Sequence, residues 1–407
     1  MASTLWTANT PQRFWLCDPD PPAEIWNLAI QNAIPILGFP AEIKNIEDVL
    51  EYALGEARFG KSRYKIGFFR SIYYFLKPFL PRSMIIRMRQ KYNLLLNGRS
   101  AIDWPIESRY VKFQWETLHQ VLLLSKKEEI AFRYFWPESK RYAFILTHDI
   151  ETAEGQRLAP VLADMEEALG FHSMFNFVPE IYPIDWGLVR DLRERGFEIG
   201  VHGLKHDSKM FDTYDRFARR SARINQYLRE FQAHGFRAPL MIRNPDWMQL
   251  LDMEYDLSFF DTDPYEPMPG GVMSIWPFTI GSFIELPYTL PQDCTLYEIM
   301  RETSPQIWFE KIKFIEKYHG MALVNVHPDY SGEGHVKEIY RTFLGAMRER
   351  TGYWHALPQE VVSWWKNRGD CKTHIVDQPF MLACASLGED NTSLLISNRE
   401  ANTIKME

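Results

Sequence analysis

The sequence predicts an α/β fold built on a parallel sheet with helical crossovers. From Tyr142 onward, short apolar runs alternate with longer amphipathic segments, which is the pattern of repeated β-α units. The chain has 407 residues, 46% of them hydrophobic and 24% charged, a composition typical of globular proteins. This pattern leaves two architectures open, a β/α barrel and a doubly wound sheet.

The first 135 residues show helical spacing interrupted by proline and glycine, and they predict a mostly helical N-terminal region. Within it, residues 57–102 contain eleven Lys or Arg and no Asp or Glu, although the whole chain has a net charge of −7. A basic amphipathic helix is expected to begin near Pro81. Two interpretations stay open: a solvated face over a stripe that packs on the same chain, or peripheral contact with a membrane. Nucleic acid is not an expected partner.

Residues 136–368 contain the predicted β-α units, and the segment 369–407 predicts a short hairpin-like β appendage around a GEDN turn. Helical patterns fill most of the gaps between the predicted strands. The predicted strands are 142–147, 173–178, 197–201, 256–260, 283–288 and 321–326.

The N-terminus lacks a secretory signal, and the chain has no uninterrupted apolar run of about 18 residues, as a spanning helix needs. A cytoplasmic location is therefore expected, with the inner membrane face as a peripheral option. The four cysteines lie far apart in sequence, which argues against a disulfide framework or a zinc-thiolate site.

Titratable residues follow several of the predicted strands. In parallel α/β folds, functional groups gather at the carboxyl ends of the strands, because the loops there converge on one face. The residues found there are Asp149, Glu151, His202, His206, Arg237, Asp261, Asp263 and His327.

The stretch VHGLKHD places His202 and His206 four residues apart, directly after a predicted strand. On a helical turn, residues at this spacing share a face, so both imidazoles can reach one ion. Neutral imidazole suits zinc, and a carboxylate would complete three protein ligands. The alternative is that these histidines cap a helix or pack in the core.

Asp149 and Glu151 are two residues apart, so in an extended backbone both point to one side while His148 and Ile150 point to the other. One acid can then bind a metal ion while the other acts as the base toward water. The alternative is that both acids only stabilise the start of the following helix.

The ordered set THD-x-E, H-x-x-x-H, F-R-x-P, D-x-D and LVNVH resembles the polysaccharide deacetylase superfamily, carbohydrate esterase family four, whose members share a chitooligosaccharide-deacetylase homology domain. The resemblance covers about residues 140–365. It implies a distorted, partly open (β/α) barrel, with the mostly helical N-terminal region and the β appendage outside it. It also implies a divalent metal ion, with Zn²⁺ as the first choice.

The resemblance implies a role for each matching residue. His202 and His206 match the ligand pair, Asp149 matches the base, and Arg237 matches the arginine that orients the base. Ile150 stands where the family has its aspartate ligand, and Glu151 is the expected substitute. An exchange of roles between Asp149 and Glu151, or loss of the metal, stays open.

His327 matches the general acid of the family, and Asp263 or Asp261 is expected to hold its imidazole protonated. The implied reaction is metal-dependent removal of an N-acetyl group from a small or lipid-linked amino sugar or glycan precursor. Two alternatives remain: an amidohydrolase acting on a non-sugar C–N bond of the cyclic ureide type, and a carbohydrate-binding homologue without activity.

Overall fold

The computed structural model describes residues 4–67, 72, 80–96, 101–266, 268, 270–369, 381–388 and 393–398. Parts of the basic segment (68–71, 73–79 and 97–100) and of the predicted appendage (370–380, 389–392 and 399–407) lie outside the described residues. The strands of the described residues are β1 (Glu129–Arg133), β2 (Tyr142–Ile150), β3 (Met174–Phe177), β4 (Glu198–Val201), β5 (Gly235–Phe236), β6 (Tyr255–Asp256), β7 (Phe278–Ile280), β8 (Phe283–Glu285), β9 (Met321–Val326), β10 (Tyr353–His355), β11 (Leu382–Leu387) and β12 (Leu394–Asn398).

The helices connect these strands and build most of the N-terminal region. They are α1 (Pro11–Trp15), α2 (Ala23–Ala33), α3 (Ile46–Ala53), α4 (Arg82–Leu96), α5 (Arg109–Ser125), α6 (Ala153–Ala168), α7 (Trp186–Glu194), α8 (Tyr214–Glu230), α9 (Pro245–Met248), α10 (Gln306–Lys317), α11 (Pro328–Ser331), α12 (Gly334–Arg348) and α13 (Pro358–Gly369). Side chains at the starts of three crossover helices fix where those helices begin, because Thr152, Asp185 and Thr213 each accept hydrogen bonds from backbone N–H groups of the first turn.

Among the described residues, eight parallel strands belong to one sheet that curls around a common interior. β2, β3, β4, β5, β6 and β8 follow one another in that order, β9 pairs with the opposite edge of β2, and β10 pairs with the first residues of β2. One parallel bridge between Leu290 and Val324 joins the chain beyond β8 to β9. The ring is therefore closed at this point by a single bridge in place of a full ladder. The predicted distorted, partly open (β/α) barrel is confirmed.

The strand predicted at 256–260 is shorter than expected. Regular pairing covers Tyr255–Asp256, and one further bridge joins Phe260 to Tyr288. Between them, the Ser258 hydroxyl accepts the hydrogen bond from the backbone N–H of Ala238 at 2.7 Å. A side chain thus takes the place of a ladder carbonyl, which ends the regular strand.

Alternation along β2 separates the two hydrophobic cores. Ala143 and Ile145 pack in one buried cluster together with residues of β3, β6, β8 and β9, so this cluster fills the barrel interior. Phe144 and Leu146 pack in the other cluster, with apolar residues of the surrounding helices. The odd-numbered residues of β2 therefore face inward.

The N-terminal region and the C-terminal hairpin share one small sheet. β11 and β12 form an antiparallel hairpin, and β11 also pairs with β1 in antiparallel register. The N-terminal region also contacts the barrel through Glu56, which accepts hydrogen bonds from buried Arg243 (Nε, 2.9 Å) and from the backbone N–H of Gly271 (2.7 Å). The domain boundaries at 135/136 and 368/369 stay predictions.

The helix expected near Pro81 is present as α4, which begins at Arg82. Among the described residues, no helix combines the length and the apolar character needed to cross a bilayer. Among the described cysteines, Cys17 and Cys294 are buried free thiols, and Cys384 is buried.

Candidate active site at the carboxyl ends of the strands

The inward-facing residues of β2 change from apolar to polar toward the carboxyl end of the strand. Ala143 and Ile145 are followed by Thr147 and Asp149, all buried, and Glu151 comes directly after the strand. Polar groups inside a barrel are costly unless they are hydrogen-bonded. Their concentration at this end marks the candidate site.

Both carboxylate oxygens of Asp149 accept hydrogen bonds. Oδ1 accepts from Arg237 Nη1 at 2.9 Å and from Asn176 Nδ2 at 3.0 Å. Oδ2 accepts from Asn325 Nδ2 at 2.8 Å and also faces His202 Nε2 at 3.9 Å. These contacts fix the orientation of the carboxylate.

The pKa of Asp149 lies well below its ordinary value. Burial alone would raise this pKa, but the nearby positive charges, chiefly that of Arg237 and also that of His327, outweigh it. Asp149 is therefore an anion in the folded protein, although only 1% of its surface is exposed.

Arg237 is fully buried, and every side of its guanidinium is engaged. Nη1 also donates to Asn325 Oδ1 at 2.7 Å, Nη2 donates to Thr147 Oγ1 at 3.0 Å, and Nε donates to the carbonyl of Leu257 at 3.0 Å. The planar group is held by strands β2 and β9 and by the chain after β6. Arg237 therefore contacts Asp149 in a single fixed geometry.

His202 follows the end of β4 and is buried. Its Nδ1 lies 3.1 Å from the carbonyl oxygen of Arg237. Because a carbonyl only accepts, Nδ1 carries the proton, and the lone pair of the neutral ring is on Nε2. Burial lowers the pKa of His202 to about 4, so this ring is neutral at physiological pH.

Glu151, His202 and His206 form a compact group whose ligand atoms all lie within 4.8 Å of one another. His206 Nε2 lies 2.9 Å from Glu151 Oε1. The pKa of Glu151 is well below its usual range, because the nearby histidines outweigh the effect of burial. The group therefore combines two imidazoles with an ionised carboxylate.

The Nε2 atoms of His202 and His206 are buried and have no hydrogen-bond partner. The short separation between His206 Nε2 and Glu151 lacks the alignment of a hydrogen bond. Two orphaned imidazole nitrogens and a carboxylate oxygen that converge on one point match the donors of a three-ligand divalent metal site. The three residues thus form a candidate metal site.

Gly203 has a specific steric function between the two histidines. Its φ is +65°, and a Cβ at this position would lie 2.5 Å from Cγ of Pro239. A side chain here meets both a strained backbone and a rigid ring. This contact accounts for the glycine at position 203.

His327 follows β9 and faces the two acids from the opposite side. Its Nε2 lies 3.7 Å from Glu151 Oε1 and 3.9 Å from Asp149 Oδ2. Its Nδ1 lies 2.7 Å from Asp293 Oδ1, and its backbone N–H donates to Asp293 Oδ2 at 2.8 Å. Burial opposes the charged form, but Asp293 and the two site acids raise the pKa of His327 to about 10.

The residue that holds His327 is therefore Asp293, in place of the predicted Asp263 or Asp261. Asp263 accepts hydrogen bonds from the Tyr288 hydroxyl at 3.0 Å and from a backbone N–H. Asp261 forms a buried ion pair with Lys311 at 2.8 Å. Both aspartates thus have other partners, and the predicted contact of Asp263 or Asp261 with His327 is replaced by that of Asp293.

Three polar residues of the site were missed in the sequence: Asn176, Asn325 and Asp293. The two asparagines lie inside strands, where an uncharged amide does not stand out from an apolar run. Asp293 lies several residues beyond β8, in the segment LPQDC, which carries no recognisable motif. Its position after a strand was the available signal.

The opposite side of β2 has a structural role, as the alternation predicts. His148 lies between the carbonyl of Val326 (2.9 Å) and Glu166 (2.8 Å), away from the site. Ile150 is fully buried in the outer core, and its carbonyl accepts from the Tyr182 hydroxyl at 2.6 Å. Neither residue is directed toward the candidate metal site.

No family model matches the sequence, and no curated protein matches it. Among solved structures, the chain is similar to a Mycobacterium smegmatis protein described as a polysaccharide deacetylase, with 18% identity over 61% of this chain and 98% of that chain and a TM-score of 0.49. It is also similar to PuuE allantoinase (12% identity, 58% and 93% covered, TM-score 0.48).

A third similar structure is a Pseudomonas aeruginosa PAO1 protein, also described as a polysaccharide deacetylase (14% identity, 58% and 94% covered, TM-score 0.47). At this distance the likenesses carry no argument about activity.

Proposed function

We propose that the protein is a metal-dependent hydrolase that removes an N-acetyl group from an amino sugar or glycan precursor. The observation that carries the proposal is the convergence of three elements in one place. The group Glu151–His202–His206 lies beside an ionised Asp149 on one side and beside the protonated His327 on the other. Ligands, a base and an acid are the parts that amide hydrolysis requires.

A divalent ion bound by Glu151, His202 and His206 would polarise the amide carbonyl and make water a better nucleophile at neutral pH. Asp149 takes one proton from the attacking water as the new C–O bond forms. His327 gives its proton to the nitrogen as the C–N bond breaks, which releases acetate and a free amine. The backbone N–H of Leu240, which directly follows the F-R-x-P stretch, would stabilise the negative oxygen.

The hydrogen bonds of Asp149 support its assignment as the base and that of Glu151 as the ligand. Arg237 and two asparagines already occupy the oxygens of Asp149, whereas Glu151 lies among the orphaned imidazole nitrogens. Zn²⁺ is the proposed metal, because two imidazoles and one carboxylate suit it. A small or lipid-linked N-acetylated saccharide is the proposed substrate, and the cytoplasm is the proposed setting.

Metal analysis of the purified protein is the first test. Wild-type protein is expected to carry about one equivalent of zinc, and Glu151→Ala is expected to lose it while the protein stays folded. Glu154→Ala is the matched control, because Glu154 is an acid nearby in the sequence whose side chain is 57% exposed. Full metal retention by Glu151→Ala, with loss in Asp149→Ala, would reverse the two roles.

Acetate release from a panel of N-acetylated sugars is the second test. Acetate release that chelators abolish and zinc restores supports the proposal. Turnover of cyclic ureides without acetate release would instead identify the amidohydrolase alternative. Sugar binding by a wild-type protein that takes up no metal would identify the binding protein without activity.

A further inference from the structure

Helix α4 presents an exposed stripe in which methionines and basic residues alternate. Met84 is 49% exposed and Met88 is 41% exposed, and Arg87 and Lys91 are exposed as well. Their spacing of three, four and seven residues from Met84 places all four on one face of the helix. We call this stripe the outer face of α4.

The other side of α4 borders the candidate active site. Gln90 Nε2 donates to the carbonyl of Glu298 at 3.2 Å, in the helical turn Cys294–Ile299 that directly follows Asp293. Burial raises the pKa values of Cys294 and of Tyr330, which lies three residues after His327, and the nearby charge of Arg89 opposes this rise. The inner side of α4 therefore lies at the edge of the candidate site, and the outer face of α4 is turned to solvent.

The chemistry of the outer face fits an anionic lipid surface. Arg and Lys side chains at an interface extend toward phosphate groups, while flexible apolar side chains enter the acyl boundary. Residues 57–102 include eleven Lys or Arg and no acid, so the sequence around α4 contains nothing that repels anionic lipid. Contact with nucleic acid would use the cations but would leave the exposed methionines without a function.

We propose that the protein docks on an anionic membrane through Met84, Arg87, Met88 and Lys91. Because the inner side of α4 borders the candidate site, docking holds the mouth of that site beside the lipid headgroups. This geometry suits a saccharide carried on a lipid anchor, a conclusion that rests on the proposed function. The docking surface itself does not depend on that function.

Vesicle co-sedimentation at low ionic strength tests the proposal. Wild-type protein is expected to bind vesicles of phosphatidylcholine mixed with phosphatidylglycerol, and to bind phosphatidylcholine alone weakly. Arg87→Glu/Lys91→Glu is expected to weaken binding at least about 30-fold, which corresponds to about 2 kcal/mol for two surface cations. Lys313→Glu/Lys317→Glu is the charge-matched control, with the same spacing on an exposed face of α10.

A second pair of variants tests the apolar part. Met84→Ser/Met88→Ser is expected to weaken binding about tenfold, with Leu28→Ser, which is 46% exposed on α2, as the control. Three results would overturn the proposal. The first is absence of wild-type binding to the anionic vesicles, and the second is an equal loss of binding in the Lys313/Lys317 control. The third is a concentration-dependent dimer in sedimentation velocity that the methionine variants abolish, because such a dimer would assign the stripe to a second copy of the chain.

Acetate release from a water-soluble N-acetyl sugar separates this proposal from the proposed function. The two variants of α4 and their two control variants are expected to keep that activity within about twofold, because none of the changed residues belongs to the candidate site. Loss of vesicle binding with full activity supports the docking surface. Vesicle binding without any activity in the wild type leaves the docking surface in place and refutes the hydrolase.

Discussion

Asp149 and Glu285 are both buried carboxylates near the strands of the barrel, and their pKa values shift in opposite directions. Only 1% of Asp149 and none of Glu285 is exposed to solvent. The pKa of Asp149 lies well below its ordinary value, whereas that of Glu285 lies well above it. Burial is common to both residues, so it does not explain the difference.

The neighbours account for it. Asp149 faces the cations Arg237 and His327, whose charges outweigh the effect of burial. Glu285 lies opposite Asp256 in the β6–β8 register, and besides burial the second acid raises its pKa further. Asp256 Oδ2 and Glu285 Oε2 are buried without a donor, which one proton shared between them would satisfy. Compensation by a cation thus decides whether a buried acid here is charged.

Removal of Arg237, the cation that compensates the charge of Asp149, should have the largest effect on stability. Arg237→Leu leaves the Asp149 carboxylate buried without its closest cation, and the oxygens of Thr147 and Asn325 each lose one hydrogen bond. We expect the free energy of unfolding to fall by about 3–5 kcal/mol. Urea denaturation of the two proteins at neutral pH measures the difference.

A matched ion pair nearer the surface provides the control. Arg220 donates to both oxygens of Asp207, at 2.6 and 2.8 Å, but these side chains are 17% and 30% exposed. Arg220→Leu should cost about 1 kcal/mol or less, because water solvates the remaining acid. Equal losses in the two variants would show that burial of the pair does not set its contribution.

The importance of the neighbours of each acid also limits how much of the site the sequence could predict. The parallel strands with helical crossovers and the strand-end residues could be found because apolar runs mark the strands and charged residues follow them. These residues are Asp149, Glu151, His202, His206, Arg237 and His327. The pattern did not separate a barrel from a doubly wound sheet, and the family resemblance made that choice. The partner of His327 could not be found in this way. Asp293 reaches it through a tertiary contact across 34 residues, and Asp263 was the nearer match to a motif. Sequence patterns identify the titratable groups, but tertiary packing decides which of them are neighbours.

The paired acids Asp256 and Glu285 should make the stability of the protein depend on pH in the opposite sense to Asp149. Above the ordinary Glu pKa of 4.5, the unfolded chain loses this proton while the folded pair retains it. The folded state then binds more protons, so stability should fall as pH rises, by up to about 1.4 kcal/mol per pH unit. Glu285→Gln, which is neutral at every pH, should remove this contribution.

Thermal or urea unfolding of the wild type and of Glu285→Gln, from about pH 5 to pH 7, measures the effect. Acids elsewhere titrate in both proteins, so the difference between the two stability curves reports the proton of the Asp256–Glu285 pair. The variant should become more stable than the wild type as pH rises. Parallel curves would mean that Glu285 is ionised in the folded protein, and the contrast with Asp149 would then disappear.

An exposed carboxylate should give the smallest effect and complete the comparison. Asp185 begins α7, and its Oδ1 accepts from the backbone N–H groups of Gly187 (2.9 Å) and Leu188 (3.1 Å). Because hydrogen bonding matters here more than charge, Asp185→Ala should cost about 1 kcal/mol and Asp185→Asn only a few tenths. Urea denaturation of both variants tests this. A loss in Asp185→Asn as large as that in Asp185→Ala would show that charge contributes even where water already solvates the acid.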